Sequence, residues 1–200
     1  MNNGDDCMVF MEEHYLQEFM AEVDTWFLGC GFRMTVEPPV REFEQIEFCQ
    51  MRPINTARGW TMVRNIGTAL AKDTMSVVPL VNEKVARQWM HAVGECGLAL
   101  CAGVPILQAF YQAYLRNGRG SHNLDKSVQM VSGMRMMSHG LESKEVPISE
   151  ESRLGVYVAW GITPDEQAAI EQHFAAWLYT NEPTELVDIP TLLNGLSLSW

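Results

Sequence analysis

Apolar positions change their spacing several times along the first third of the chain. Cys7 to Met11 forms a short apolar run bounded by acids, the length of a buried strand. Leu16, Phe19, Met20, Val23, Trp26 and Phe27 then recur at steps of three and four, which predicts a helix from Glu12 to Gly31 with one apolar face. The Gly29-Cys30-Gly31 segment supplies its stop. In "FRMTVEPPVREFEQIEFCQMRPI" the pattern alternates, with Met34 and Val36 before Pro38-Pro39 and Phe43, Ile46 and Phe48 after them. The prolines break any helix and force an extended turn, so a loop between two strands is predicted, the second ending near Pro53. A further strand pair is expected around "GWTMVRN".

From about Thr68 the spacing becomes helical, over 83–100, 106–115, 124–137 and 150–160. The sharpest boundary is "GITPDEQAAIEQHFAAWLYT". Thr163 as N-cap, Pro164 at the first helical position and Glu166 three residues after the cap form a capping box, which predicts a helix from Pro164 to about Tyr179. The class is therefore α+β: a strand-rich amino-terminal quarter, then a mostly helical remainder, with the seam between Pro53 and Thr68.

Composition narrows the function classes. With 47% apolar residues the 200-residue chain can fill a core, so it is globular rather than disordered. Lys and Arg number 14 against 25 Asp and Glu, a formal charge of -11. That balance excludes a free-standing nucleic-acid binder of the basic-patch kind, so any RNA contact must be local. Neither a membrane span nor a secretory signal is supported, and the chain reads as cytosolic. Five cysteines, at 7, 30, 49, 96 and 101, lack C-x-x-C spacing, which reads as reduced core thiols rather than a disulfide framework or zinc site.

The chemistry concentrates at the start, in "NNGDDC". An Asn-Gly or Gly-Asp pair is first a turn signal, since glycine accepts positive φ. Two adjacent carboxylates at a turn tip also suit divalent-cation chemistry on phosphates, because Mg²⁺ takes oxygen ligands and is held by one or two protein carboxylates together with substrate phosphates. Taken in order, "NNGDDC", a helix, "GFRMTVEPPVREFEQIEFCQMRPI", "GWTMVRN" and "LAKD" resemble the RNA-dependent RNA polymerases of positive-strand RNA viruses, the tombusvirus-like group above all. The resemblance is strong over roughly the first 75 residues. It extends more loosely to "SRLGVYVAWGITPDEQAAIE", which is similar to the thumb of that group.

That resemblance implies a partial palm over 1–56, holding motifs C to E, and a thumb over 57–200. Asp5 and Asp6 would be the catalytic carboxylates that ligate Mg²⁺ or Mn²⁺. Gly4 would let the turn form, and Asn3 would contact a ribose or cap the turn. In the motif D loop the family supplies a cation beside the leaving pyrophosphate, and here the candidates are Arg41 and Arg33. Arginine holds its proton too tightly to be an easy acid, so charge stabilisation is the role that fits. Phe48, Cys49 and Gln50 match the primer-grip strand, Gln50 as a donor to a backbone oxygen and the other two as packing. Arg58, Arg64 and Lys72 are candidates for RNA phosphates.

The implied partners are an RNA template, a nascent strand and nucleoside triphosphates, at viral replication complexes in the host cytoplasm. The family's first metal-binding aspartate and its nucleotide-binding fingers precede motif C. A carboxyl-terminal part, unable to synthesise RNA without the amino-terminal polymerase portion and with Met1 an internal methionine, is therefore expected. Two other readings compete. One is a non-catalytic helical binding or assembly module; the other, a different metal-dependent phosphotransferase, leaves "EFCQMRPI" and "GWTMVRN" without a role.

Overall fold

Val23 is the only buried side chain before Pro53 among the described residues, so the core is built almost wholly by the later part of the chain. The computed structural model describes residues 1–76, 79–120 and 132–180. The class is α+β, with two small antiparallel ribbons and a predominantly helical body.

The chain opens with strands β1 (Asn2–Asn3) and β2 (Asp6–Cys7), paired Asn2 to Cys7 and Asn3 to Asp6. No strand follows over Met8 to Met11, where Val9 and Phe10 are exposed; an apolar run with nothing packed on it has no ladder to join. A single 3₁₀ turn at Glu13–Tyr15 leads into helix α1, Leu16–Gly29. The predicted stop takes the form of a Schellman motif: Phe32 N–H donates to the Phe27 carbonyl at 2.9 Å and Gly31 N–H to that of Leu28 at 3.0 Å, with Gly31 at φ +87°. Glycine meets this left-handed requirement without strain.

The predicted strands flanking Pro38-Pro39 are absent, and Phe43–Gln45 is a 3₁₀ turn. The strand expected to end near Pro53 instead starts at Met51 and runs through Pro53 to Thr56 as β3, paired with β4, Gly59–Arg64. Both flank a tight turn at Ala57-Arg58, which confirms the pair expected around "GWTMVRN".

Helices α2 (Ile66–Asp73), α3 (Glu83–Cys101) and α4 (Leu107–Asn117) follow. Asn65 and Asn82 cap the first two by accepting from Thr68 N–H and Val85 N–H, each at 3.0 Å. A short α5 covers Ser132–Met137, and the earlier part of the helix expected over 124–137 lies outside the described residues. Then come α6 (Glu150–Trp160) and α7 (Pro164–Ala176). Thr163 and Glu166 form the predicted capping box, Thr163 N–H donating to the Glu166 carboxylate at 2.8 Å.

Helix α7 stops at Ala176 rather than near Tyr179 because the end of α4 captures the departing chain. Asn117 Nδ2 donates to the Trp177 carbonyl at 3.1 Å, Tyr179 N–H donates to Asn117 Oδ1 at 2.8 Å, and the Trp177 ring stacks on Tyr114.

The core centres on α3 and α4, which cross as an antiparallel hairpin. A Cβ on Gly97 would meet the Tyr111 ring at 2.1 Å, and one on Gly94 the Leu115 main chain at 2.9 Å. These glycines are what let the two helices approach. All five cysteines are free, yet only Cys96 and Cys101 are core thiols. Cys7 and Cys30 are exposed, and Cys49 is half-buried, because the segments that carry them bury almost nothing. No helix among the described residues is long and apolar enough to cross a membrane.

Candidate functional site

Gly4 and Asp5 form the two-residue turn between β1 and β2. Gly4 has φ +66° and an added Cβ would meet nothing within 4 Å, so its role is conformational. Positive φ at the first central residue alone matches a type II′ hairpin turn, whose twist suits the flanking strands. The turn leaves the side chains of Asp5 and Asp6 both exposed. They are two hard oxygen ligands on adjacent residues, a donor set that suits Mg²⁺ or Mn²⁺. Among the described residues no cluster of three or more His, Cys, Asp or Glu is arranged for a metal.

A second tight turn stands against the first. Phe48 and Met51 exchange backbone hydrogen bonds of 2.9 and 3.1 Å, enclosing Cys49 at φ 53° and Gln50 at φ 60°. The segment expected as a primer-grip strand is thus a turn of type I′, which demands positive φ at both central residues. Neither residue is glycine, and such positions carry strain on the order of 1 kcal/mol each. Alternation of apolar residues concealed this, because the reversal falls between Phe48 and Met51. Phe48 and Cys49 are half-buried and Gln50 is exposed. Asn3 Nδ2 donates to Cys49 Sγ at 3.2 Å, joining the two turns across 46 positions of sequence.

The cations divide by environment. Arg41 is ion-paired to Glu13, at the entry to α1, with both side chains well exposed. The Arg41 guanidinium holds the Glu13 carboxyl below its usual range by hydrogen bonding and then by charge. Arg33 is exposed in the segment after α1.

Arg58 donates to the carbonyls of Glu142, at 3.3 Å, and Lys144, at 2.9 Å, clamping the β3–β4 turn to a distant segment. Arg64 makes a two-pronged ion pair with buried Asp73, at 2.5 and 3.2 Å, and Tyr111 Oη donates to the same carboxylate at 2.6 Å. Of the three expected phosphate contacts, Arg64 is held by a buried carboxylate and Arg58, though exposed, by main-chain carbonyls, while Lys72 is exposed.

Sequence reasoning did not single out Asp73 or Tyr111. A signal was present: an aspartate in the last turn of α2 opposes the helix dipole, and such a violation points to a specific partner. Arg52 was missed too; it donates to the Ala159 carbonyl at the end of α6 and to Glu47 at 3.2 Å. Together with Gln45 Nε2 on the Val158 carbonyl at 3.3 Å, it docks residues 45–52 on α6.

A model of the family described as viral RNA dependent RNA polymerase matches residues 1–182. The chain is 39% identical over 179 residues to the RNA-directed RNA polymerase of Turnip crinkle virus, covering 87% of this chain and 23% of that protein. Against the RNA-directed RNA polymerase of Maize chlorotic mottle virus it is 36% identical over 196 residues, 96% of this chain and 20% of the relative. For that of Tobacco necrosis virus (strain A) the identity is 35% over 205 residues, 98% of this chain and 28% of the relative. The chain thus spans between 20% and 28% of the length of these relatives. No solved structure matches it.

Proposed function

Because this chain belongs to the viral RNA-dependent RNA polymerases, we propose that it is the carboxyl-terminal palm and thumb of an enzyme that copies viral RNA, with residues 1–56 in the palm and 57–200 in the thumb. The reaction is attack of the nascent strand's 3′-hydroxyl on the α-phosphate of a nucleoside triphosphate, with pyrophosphate leaving. The observation that carries the reading is the hairpin that presents Asp5 and Asp6 side by side beside the Cys49–Gln50 turn.

In this reading Asp5 is the principal metal ligand and Asp6 the second, each offering carboxylate oxygens. Bound there, Mg²⁺ or Mn²⁺ would stabilise the negative charge that develops on the reacting phosphates. The Cys49–Gln50 turn faces the nascent strand, with the exposed Gln50 amide free to donate to its backbone. Arg41, with Arg33, neutralises charge on the departing pyrophosphate; Arg41 must then exchange Glu13 for a phosphate. Lys72 contributes a phosphate contact that positions the RNA without reading its sequence.

In this reading the remaining carboxylate and the nucleotide-binding surface come from the amino-terminal portion of the polymerase, in replication complexes of the host cytoplasm. The test is Asp5→Ala in the full-length polymerase, measured as incorporation of labelled nucleotide on a defined template. Loss of at least about a hundredfold is expected, the scale of removing a group that stabilises transition-state charge. Undiminished synthesis would overturn the site. The 200-residue chain alone, given template, nucleotides and Mg²⁺ or Mn²⁺, should make no RNA.

A further inference from the structure

The ribbon β3–β4 begins at the Cys49–Gln50 turn and is fastened to the helical body along its length. Next to the turn, Arg52 donates to the Ala159 carbonyl and Gln45 Nε2 to the Val158 carbonyl at 3.3 Å. Both carbonyls lie in the last turn of α6, where a helix leaves its carbonyls without helical partners and its dipole favours a cation. Glu47 accepts from Arg52 Nε at 3.2 Å and steadies the guanidinium. In mid-strand Ile54 is fully buried against α6: an added Cβ on Gly155 would stand 3.5 Å from Ile54 Cδ1. At the far end Arg58 and Arg64 complete the attachment, through the Glu142 and Lys144 carbonyls and through Asp73.

The other side of the turn is held far more lightly. Among the described residues, the hairpin bearing Asp5 and Asp6 reaches it through one side-chain hydrogen bond, from Asn3 to the Cys49 sulfur at 3.2 Å. A thiol sulfur is a weak acceptor, whereas a guanidinium donating to a carbonyl makes one of the stronger hydrogen bonds in a protein. A mechanical division at residues 56 and 57 would also separate two strands that are paired at six positions.

Resting on the polymerase reading above, we infer that Arg52 is a positioning residue for the nascent strand: it pins the Cys49–Gln50 turn to the end of α6, so that the turn travels with the helical thumb rather than with the metal-binding hairpin. Its own donors are spent on Ala159 and Glu47, so it acts through the turn and touches neither RNA nor nucleotide. The mechanical border of the thumb then falls before Phe43, ahead of the 3₁₀ turn from which Gln45 reaches α6. The gap between the carboxylates and the 3′ end is set by where α6 stands, and the Asn3–Cys49 contact is the link that yields first. Loss of Arg52 loosens the hold on the strand and leaves nucleotide binding alone.

Synthesis by the full-length polymerase, with excess competitor RNA added once strands have begun, reads how far each strand grows before it is released. Arg52→Ala should raise the rate of strand release about tenfold, the scale of one charge-assisted hydrogen bond, and shorten the products accordingly, while KM for nucleoside triphosphates stays within about twofold. Arg52→Lys keeps a cation at the helix end and should recover most of the product length. Gln45→Ala removes the neighbouring contact to Val158 without touching a charge and should act in the same direction, more weakly; it decides the matter if Arg52→Ala does not fold. Strand release that is unchanged in these variants overturns the inference. So does a rise in nucleotide KM equal to the rise in release, equal shortening by Arg52→Lys, or less product at unchanged length, which is the mark of a merely structural role. Absence of synthesis by the unmutated polymerase counts against the polymerase reading on which the inference stands, and synthesis with strand release unmoved counts against Arg52 alone.

Discussion

Asn3 donates its side-chain amide to the sulfur of Cys49 at 3.2 Å, and this is the one side-chain hydrogen bond among the described residues that ties the opening hairpin to the rest of the chain. The carboxylates of Asp5 and Asp6 sit on that hairpin, so their aim depends on it. In the full-length polymerase, Asn3→Ala and Cys49→Ala should each reduce nucleotide incorporation several-fold, consistent with the loss of about 1 kcal/mol of hydrogen bonding. Cys49→Ser keeps an acceptor and should recover most of the rate, which a purely packing role for Cys49 would not predict.

The turn at Cys49 and Gln50 holds two non-glycine residues at φ 53° and 60°. Asn followed by Gly is the pair that such a turn favours. The double substitution Cys49→Asn, Gln50→Gly should therefore stabilise the 200-residue chain by about 1 kcal/mol, relief of the strain outweighing the entropy that glycine adds to the unfolded state. Urea unfolding monitored by circular dichroism checks it.

Asp73 is 8% exposed and accepts from both Arg64 and Tyr111. Removing one member of a buried pair leaves the other charge unpaired, so Asp73→Ala should cost on the order of 3 kcal/mol. Tyr111→Phe removes one donor and should cost about 1–2 kcal/mol. Combined, the two losses should fall short of their sum, because they share one carboxylate.

Gly97 lies inside α3, where alanine is ordinarily preferred to glycine by about 1 kcal/mol. Here the added methyl would fall 2.1 Å from the Tyr111 ring. Gly97→Ala should thus destabilise, by at least about 2 kcal/mol, and Gly97→Ala combined with Tyr111→Phe should remain destabilised because the phenyl ring still occupies the space.

Burial pushes the Cys101 thiol up from 9.0 to about 12. It also raises Tyr111 and Tyr114 above 10.0, with the Asp73 charge adding to both. The unfolded chain ionises these groups at their ordinary values while the folded chain keeps them neutral. Their contribution is therefore fully present below about pH 9 and is lost as pH rises through the folded values. The urea midpoint should fall steadily above about pH 9, and Cys101→Ala should flatten the first part of that fall.

The primary structure determined what depends on neighbours in the chain. Gly31 closing α1, the Thr163–Glu166 capping box and the Gly4–Asp5 turn all follow from local backbone chemistry, and each stands where the residues placed it. So does the apolar stripe of α1. Only the tertiary structure decided which apolar faces find a partner, because burial depends on what lies opposite: α3 closes on Tyr111 through Gly97, whereas along the α1 stripe Val23 is buried and Leu16, Phe19 and Phe27 are half-buried. The same holds for charge. Arg58 and Arg64 look like surface cations in sequence, but the fold brings main-chain carbonyls to one and a buried carboxylate to the other. Among the described residues Lys72 has no such neighbour, and its side chain is exposed.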